Sequence, residues 1–248
     1  ARDITRLYHL NRAQQDFTLN VSHELRTPLT VLHGYLETLF DTADEQAPYR
    51  TPVLRMMDQT RRMQAVIQDL SMLSTLEAAE GALQHEPVAV LDCLEDIVED
   101  ARELARATGH VLNLNGDPGL LLLGDESLLR SAFSNLVFNA IRHTPIRTRV
   151  DISWGLDGDH AVLWVQDNGA GIPARHLPRL TERFYRVDSG RSSDRGGSGL
   201  GLAIVRQILD MHDAQLQISC TEGLGCRFGC RFPARMTVCV PGHPPGAD

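Results

Sequence analysis

The 248-residue sequence predicts an all-helical hairpin followed by an α/β domain. Three observations carry that expectation. Apolar residues recur by threes and fours through the first third of the chain, which is the period of an amphipathic helix. Near Pro87 the pattern changes to helical stretches alternating with β-type runs. The length, with 42% hydrophobic and 23% charged residues, suits two ordinary globular cores.

The first helix is read from Leu7, Leu10, Phe17, Val21, Leu25, Leu29, Leu32, Leu36 and Leu39, with Gln14 at one seam position. The steps of four through Val21, Leu25 and Leu29 make a local stutter beside His23. A polar turn, "DTADEQAPYR", follows. Thr51 then serves as N-cap with Pro52 at the first helical position. The second seam reads Val53, Met56, Thr60, Met63, Ile67, Leu70 and Leu73, and Gly81 stands where a C-terminal cap belongs. Two long antiparallel helices cannot hide both apolar stripes alone, so a homodimeric four-helix bundle is expected.

Beyond Pro87, "LDCLEDIVEDARELARAT" is helical and "HVLNLN" extended. "DESLLRSAFSNLVFNAIRH" and "GLGLAIVRQILDMH" are further helices. "RVDISWG" with "AVLWVQDNG", and "AQLQISC" with "GCRFGCRF", form two strand pairs. The divisions predicted are 1–81 for the dimerising hairpin, 82–235 for the α/β domain and 236–248 for a disordered, Pro- and Gly-rich tail.

Composition excludes several classes. A net charge of −8 argues against direct nucleic-acid binding, which needs a basic footprint. No run approaches the roughly 18 apolar residues of a membrane span. All 24 basic residues are arginine, which removes P-loop, Schiff-base and general-base lysines together. The five cysteines lack paired CxxC spacing and are expected to be reduced residues of the core or tail.

The stretch "NVSHELRTPLT" loads one helix with reactive groups. His23 lies two residues from both Val21 and Leu25, a rotation of about 200°, so its imidazole is expected to point away from the seam. Glu24 can hold Nδ1–H and leave Nε2 as a lone-pair nucleophile. Thr27 follows one turn on, and Pro28 removes a helical hydrogen bond. The same residues would also suit a solvated helix face. A nucleophile needs an electrophile, which directs attention to the second domain.

There, Asn135, Asn139, Arg142 and His143 share one helix face by their spacing. Amide oxygens can ligate Mg²⁺ and a guanidinium can meet phosphate, although capping or surface roles fit the same spacing. "DNGAGI" places Asp167 at the end of an apolar strand, with Gly169 and Gly171 allowing a sharp turn against a ligand. "GGSGLGLAIV" runs glycines into a helix, where backbone N–H groups and the helix dipole suit polyphosphate. It is neither a P-loop nor a dinucleotide fingerprint. Between the glycine motifs, "RFYRVDSGRSSDRGGSG" has the polar, arginine-rich composition of a lid.

In this order, the blocks resemble the sensor histidine kinases of two-component systems. "FTLNVSHELRTPLT" is similar to their H-box, "NLVFNAIRHTP" to the N-box, "DNGAGI" to the G1-box, "ERFYRVD" to the F-box and "GGSGLGLAIV" to the G2-box. The wording of "ELRTPLTVLHGYLETL" and "RLTERFYRVD" looks most like the phosphate-regulon branch. The resemblance implies a dimerisation and phosphotransfer domain followed by an α/β-sandwich ATP-binding domain of the Bergerat type. It implies that His23 accepts the γ-phosphoryl group of ATP, that Glu24 is the base and that Thr27 serves dephosphorylation of the partner. Asn135 and Asn139 would bring Mg²⁺ to the phosphates, with Arg142 and His143 beside them. Asp167 would receive the adenine amino group. Gly169, Gly171, Ile172, Gly197, Gly199, Leu200 and Gly201 would shape the nucleotide pocket, with Arg186 and Arg191 reaching the phosphates.

The implied reaction is autophosphorylation on histidine and transfer to an aspartate of a response regulator, in phosphate-starvation-type signalling. A catalytically silent nucleotide-binding scaffold is the alternative reading, and an ATPase of the chaperone and topoisomerase group is another. Cys226 stands where the family's last glycine-rich block usually has threonine, and a thiol donates poorly. The resemblance further implies a cytoplasmic portion of an inner-membrane protein, with membrane contact only through segments absent from this chain.

Overall fold

The computed structural model describes residues 2–44, 47–78, 85–187 and 197–239, with side chains in the first helix from Val21 onward apart from that of His23. These residues fall into two compact units, 2–78 with 197–200 and 85–187 with 201–239.

In the first unit, α1 (Arg2–Asp41) and α2 (Arg50–Ala78) form the hairpin. α1 continues through Pro28, and α2 begins at Arg50, one residue before the expected cap Thr51. Near the turn, Leu36, Val53 and Met57 pack together with Phe40 against them. Arg50 closes this end: its guanidinium lies 4.0 Å over the Phe40 ring, and Nη1 donates to the carbonyls of Phe40 and Ala43 at 3.3 and 3.0 Å. The hairpin buries only part of the apolar pattern. Leu29 and Leu36 are covered, whereas Leu25, Leu32 and Leu39 of the same seam stay about half exposed, as do Met56 and Met63 of α2. Gly81 lies outside the described residues.

The second unit begins with β1 (Glu86–Val88) and α3 (Val90–Thr108). It continues through β2 (Val111–Gly116), β3 (Leu120–Gly124), α4 (Glu126–Arg142), β4 (Arg149–Asp157) and β5 (His160–Asp167). Then come α5 (Gly201–Met211), β6 (Gln215–Thr221), β7 (Gly225–Phe232) and β8 (Thr237–Cys239). A five-stranded sheet has the order β2-β4-β5-β7-β6, parallel at β2–β4 and antiparallel elsewhere. A small antiparallel sheet has the order β1-β3-β8.

α4 packs between α3 and α5 on one face of the large sheet. The core follows from the alternation of β4, whose Val150, Ile152 and Trp154 point inward while Asp151 and Ser153 do not. Phe232 meets the rings of Phe133 and Trp154 edge-on, each at 6.3 Å between centroids. Trp154 also donates its indole N–H to the Leu120 carbonyl at 3.0 Å, linking the two sheets.

Both predicted strand pairs form as antiparallel ladders. Two expectations change. Residues 237–239, assigned to a disordered tail, form β8, because the outer edge of β3 offers unpaired backbone groups that they satisfy. The cysteines are not all reduced: Cys220 and Cys226 form a disulfide, while Cys93 and Cys230 are free and buried and Cys239 is free and exposed. The ladder explains the pairing, since the register places Cys220 directly opposite Cys226 with Cα atoms 4.1 Å apart.

Candidate functional site

α4 supplies the first component. Asp125 caps it, accepting from the Leu128 N–H at 3.1 Å and the Ser127 hydroxyl at 2.8 Å. Leu129, Phe133, Leu136 and Val137 anchor one face in the core, which leaves Asn135 and Asn139 half-buried. The Asn135 amide donates to the Ser131 carbonyl at 2.9 Å, which fixes its plane. Its oxygen faces the start of α5: a Cβ added at Gly201 would lie 2.6 Å from Oδ1 of Asn135 and 3.7 Å from Nδ2 of Asn139. Glycine at this helix entrance therefore lets backbone N–H groups and two side-chain amides approach one another closely.

The second component is the loop after β5. Asp167 is buried, 6% exposed, and its Oδ1 accepts from the backbone N–H of Gly169 at 2.8 Å and of Cys226 at 3.3 Å. Burial pushes this carboxyl above its usual range, against the lowering effect of those two donors. The turn between β6 and β7 packs directly on the loop. A Cβ at Gly225 would fall 2.0 Å from the Asp167 carbonyl oxygen, and one at Gly171 would fall 2.1 Å from that of Thr221. Both glycines have positive φ, so side chains are excluded by conformation as well as by space. The Gly223 N–H donates to the Ala170 carbonyl at 2.7 Å and locks turn to loop.

Other residues singled out in the sequence take varied positions. Arg142 is exposed, its guanidinium 5.3 Å from the Phe138 ring centroid. His143 is the exposed C-cap residue of α4, its N–H donating to the Asn139 carbonyl at 3.0 Å. Ile172 is half-buried and Arg186 exposed. Phe184 has φ of 62°, an uncommon backbone state for an aromatic residue, and its side chain is exposed. Gly199 has φ of 71°, Gly197 is half-buried and Leu200 is fully buried. Arg191 lies outside the described residues.

In the hairpin unit, His23 lies on α1, but its side chain is outside the described residues. Glu24 and Thr27 are exposed on the same helix, and Ser22 is buried.

The arrangement offers an acidic acceptor at the base of a glycine-shaped loop and, on α4, amide oxygens beside a helix N-terminus. This chemistry suits an amino-bearing heterocycle and a polyphosphate with Mg²⁺, the close approaches at Gly171 and Gly225 setting backbone against backbone around the loop and that at Gly201 setting the two α4 amides against the helix entrance. Among the described residues, no group of three or more His, Cys, Asp or Glu could hold a metal ion, so Asn135 and Asn139 are the amide ligands available on α4. Sequence reasoning missed Thr144, which reaches the Asp167 loop with no sign of it in the spacing along the chain, and it weighed Cys226 by its thiol, whereas the backbone N–H of that residue is what meets Asp167.

Two family models match the chain. Residues 13–79 match the His Kinase A (phospho-acceptor) domain, and residues 124–236 match the histidine kinase-, DNA gyrase B- and HSP90-like ATPase family. The phosphate regulon sensor protein PhoR of Pseudomonas aeruginosa is 48% identical over 95% of this chain and 54% of its own length. The protein of that name from Haemophilus influenzae is 38% identical over 96% of this chain and 56% of its own. The chain thus spans about half the length of these relatives. Among solved structures, full-length ShkA in complex with AMPPNP superposes with a TM-score of 0.75 at 25% identity, covering 91% of this chain and 47% of that one. The mycobacterial sensor histidine kinase MprB gives a TM-score of 0.52 at 30% identity over 60% of this chain and 97% of that one.

Proposed function

Because the chain belongs to the sensor histidine kinases of the phosphate-regulon type, with their phospho-acceptor and ATPase domains in order, we propose that it is an ATP-dependent protein-histidine kinase. In this reading 1–81 is the dimerisation and phosphotransfer domain and 82–235 the catalytic domain. The reaction moves the γ-phosphoryl group of ATP to Nε2 of His23, with Glu24 taking the imidazole proton, and then to a carboxylate of a response regulator. Phosphoryl transfer asks the protein for position and charge neutralisation more than for covalent chemistry.

The observation that carries the reading is the buried Asp167 carboxylate, seated among glycines that must stay glycine. Its Oδ1 is already held by two backbone donors, which fixes the carboxylate and leaves Oδ2 as the acceptor for an exocyclic adenine amino group. Asn135 and Asn139 would hold Mg²⁺, an ion that takes oxygen ligands, and the metal would supply neutralisation of phosphate charge. Arg142, Arg186 and Arg191 are assigned to the phosphates. His143, Ile172, Gly197, Gly199 and Leu200 are likewise assigned to nucleotide binding, as the family resemblance implies.

A homodimer fits the half-exposed Leu25, Leu32, Leu39, Met56 and Met63, which a second hairpin would cover in a four-helix bundle. Among the described residues no helix is long and apolar enough to cross a membrane. We assign the chain to the cytoplasmic side, where ATP and the regulator are, with any membrane attachment through other segments.

Incubation with γ-labelled ATP and Mg²⁺ tests the proposal. Acid-labile, base-stable label should appear on the wild type and be absent from His23→Gln, with ADP affinity retained in the variant. Equal labelling of both proteins would overturn the assignment.

A further inference from the structure

His110 lies between the end of α3 and the start of β2, far in sequence from every motif discussed above. It is 8% exposed. Gly109, with φ of 72°, ends α3, and the His110 N–H then donates to the Ala105 carbonyl at 2.8 Å. The ring is held at both nitrogens. Nδ1 is 2.6 Å from the Thr108 hydroxyl, and Nε2 is 2.9 Å from the Thr144 hydroxyl, a contact spanning 34 residues. Thr144 donates its one hydroxyl proton to the Ala140 carbonyl at 2.6 Å, so Nε2 carries the hydrogen that meets Thr144. The Thr108 hydroxyl also lies within reach of the Leu104 carbonyl, at 2.8 Å, and it donates to Nδ1 by turning its proton from that carbonyl to the ring.

The other side of Thr144 faces the nucleotide loop. A Cβ added at Gly169 would lie 2.9 Å from Cγ2 of Thr144 and 2.9 Å from Oδ1 of Asp167. One threonine therefore touches two parts of the site. Its hydroxyl is tied to the last turn of α4, which carries Asn139, and its methyl lies against the glycine that donates to Asp167. Rotation about χ1 would move the methyl off Gly169, and the hydrogen bond from His110 opposes that rotation.

We infer that His110 is a positioning residue for nucleotide binding, acting through Thr144 to hold the Asp167 loop against the end of α4. The inference rests on the reading of Asp167 as the adenine acceptor. The backbone of the 144–148 turn has its own ties, through Arg147 N–H to the Thr108 carbonyl and Val111 N–H to the Thr148 carbonyl. The histidine side chain is thus needed for the orientation of Thr144 more than for the path of the chain.

The test measures the ADP dissociation constant and the nucleotide-free thermal midpoint for His110→Phe, His110→Gln, His110→Asn, Thr144→Val, the His110→Phe/Thr144→Val double variant and Asp167→Asn. Loss of one directed hydrogen bond predicts about tenfold weaker ADP binding for His110→Phe. His110→Gln, whose amide N–H reaches the place of Nε2, should recover most of it, and His110→Asn, whose amide ends near Nδ1, should not. Thr144→Val should weaken binding similarly, and the double variant no further. Wild-type affinity in Thr144→Val, or equal loss in the Gln, Asn and Phe variants, would overturn the inference. If the Phe variant fails to fold, Thr144→Val and the Gln and Asn pair still decide. Wild-type ADP affinity in Asp167→Asn would instead refute the adenine reading itself.

Discussion

Nε2 of His212 accepts the backbone N–H of Asp125 at 3.2 Å, which joins the residue that caps α4 to the end of α5. The other nitrogen, Nδ1, meets the Ile208 carbonyl at 2.8 Å and is the donor there. The ring is 1% exposed and works only when neutral, because a protonated Nε2 could not accept. Both glycine-bearing and amide-bearing helices of the site thus depend on one uncharged histidine.

Burial depresses the His212 pKa below its ordinary 6.5, outweighing the Ile208 carbonyl that favours the charged ring. The unfolded chain binds this proton more readily than the folded one, so stability should fall as pH drops below about 6.5, continuing down to the folded pKa. One proton gives a slope of at most about 1.4 kcal/mol per pH unit. Asp167, whose pKa is raised, works the other way as a carboxylate losing charge in acid. Urea midpoints of wild type and His212→Asn from pH 8 to 5 isolate the histidine: the difference between them should shrink in acid, and a constant difference would count against it.

Asn139→Ala should weaken Mg²⁺-dependent ATP binding by about tenfold, roughly 1.4 kcal/mol. The residue is half-buried on a helix, where alanine is well tolerated, so the thermal midpoint should hold. Titration calorimetry with and without Mg²⁺ checks this. Unchanged affinity for Mg·ATP would remove Asn139 from the metal site.

Thr27 is exposed on α1, one turn beyond His23. A hydroxyl can accept and donate at once and so hold a water in line with an aspartyl phosphate, which a methyl group cannot. Thr27→Ala should keep autophosphorylation and transfer, lose dephosphorylation of the regulator, and change stability by less than about 0.5 kcal/mol. Parallel loss of kinase and phosphatase rates would mark Thr27 as a kinase residue instead.

The Cys220–Cys226 bond closes a short loop, its sequence separation being 6. Chain entropy limits its contribution to about 2 kcal/mol. Reduction with dithiothreitol should lower the thermal midpoint by a few degrees and raise the alkylatable thiols of the unfolded protein from three to five. Five thiols alkylated without reductant would show the pair to be unbonded.

Much of this molecule was legible in its sequence, and the particular failures are instructive. α4 was readable because a core stripe through Leu129, Phe133 and Leu136 repeats at helical spacing, and Asp167 because an apolar strand ends there beside glycines. β3 was harder, since "LLLLG" is a short continuous apolar run that periodicity cannot assign. β8 owes its existence to the edge of β3, and the disulfide to the register of β6 on β7. His110, Thr144 and His212 escaped notice for one reason: each acts on a residue or segment brought near only by the tertiary fold.

The parallel pairing of β2 with β4 sets an order of events during folding. Val111 lies beside Arg149, and the intervening chain holds β3 and the whole of α4. That ladder cannot close as a hairpin does; a long crossover has to be laid down first. Weakening the start of α4 should consequently register in the rate of refolding more than in the rate of unfolding. Stopped-flow chevrons of Asp125→Ala, which deletes the carboxylate that caps α4, would show a depressed folding arm over a nearly unmoved unfolding arm, and the reverse pattern would mean that the sheet assembles before its crossover helix.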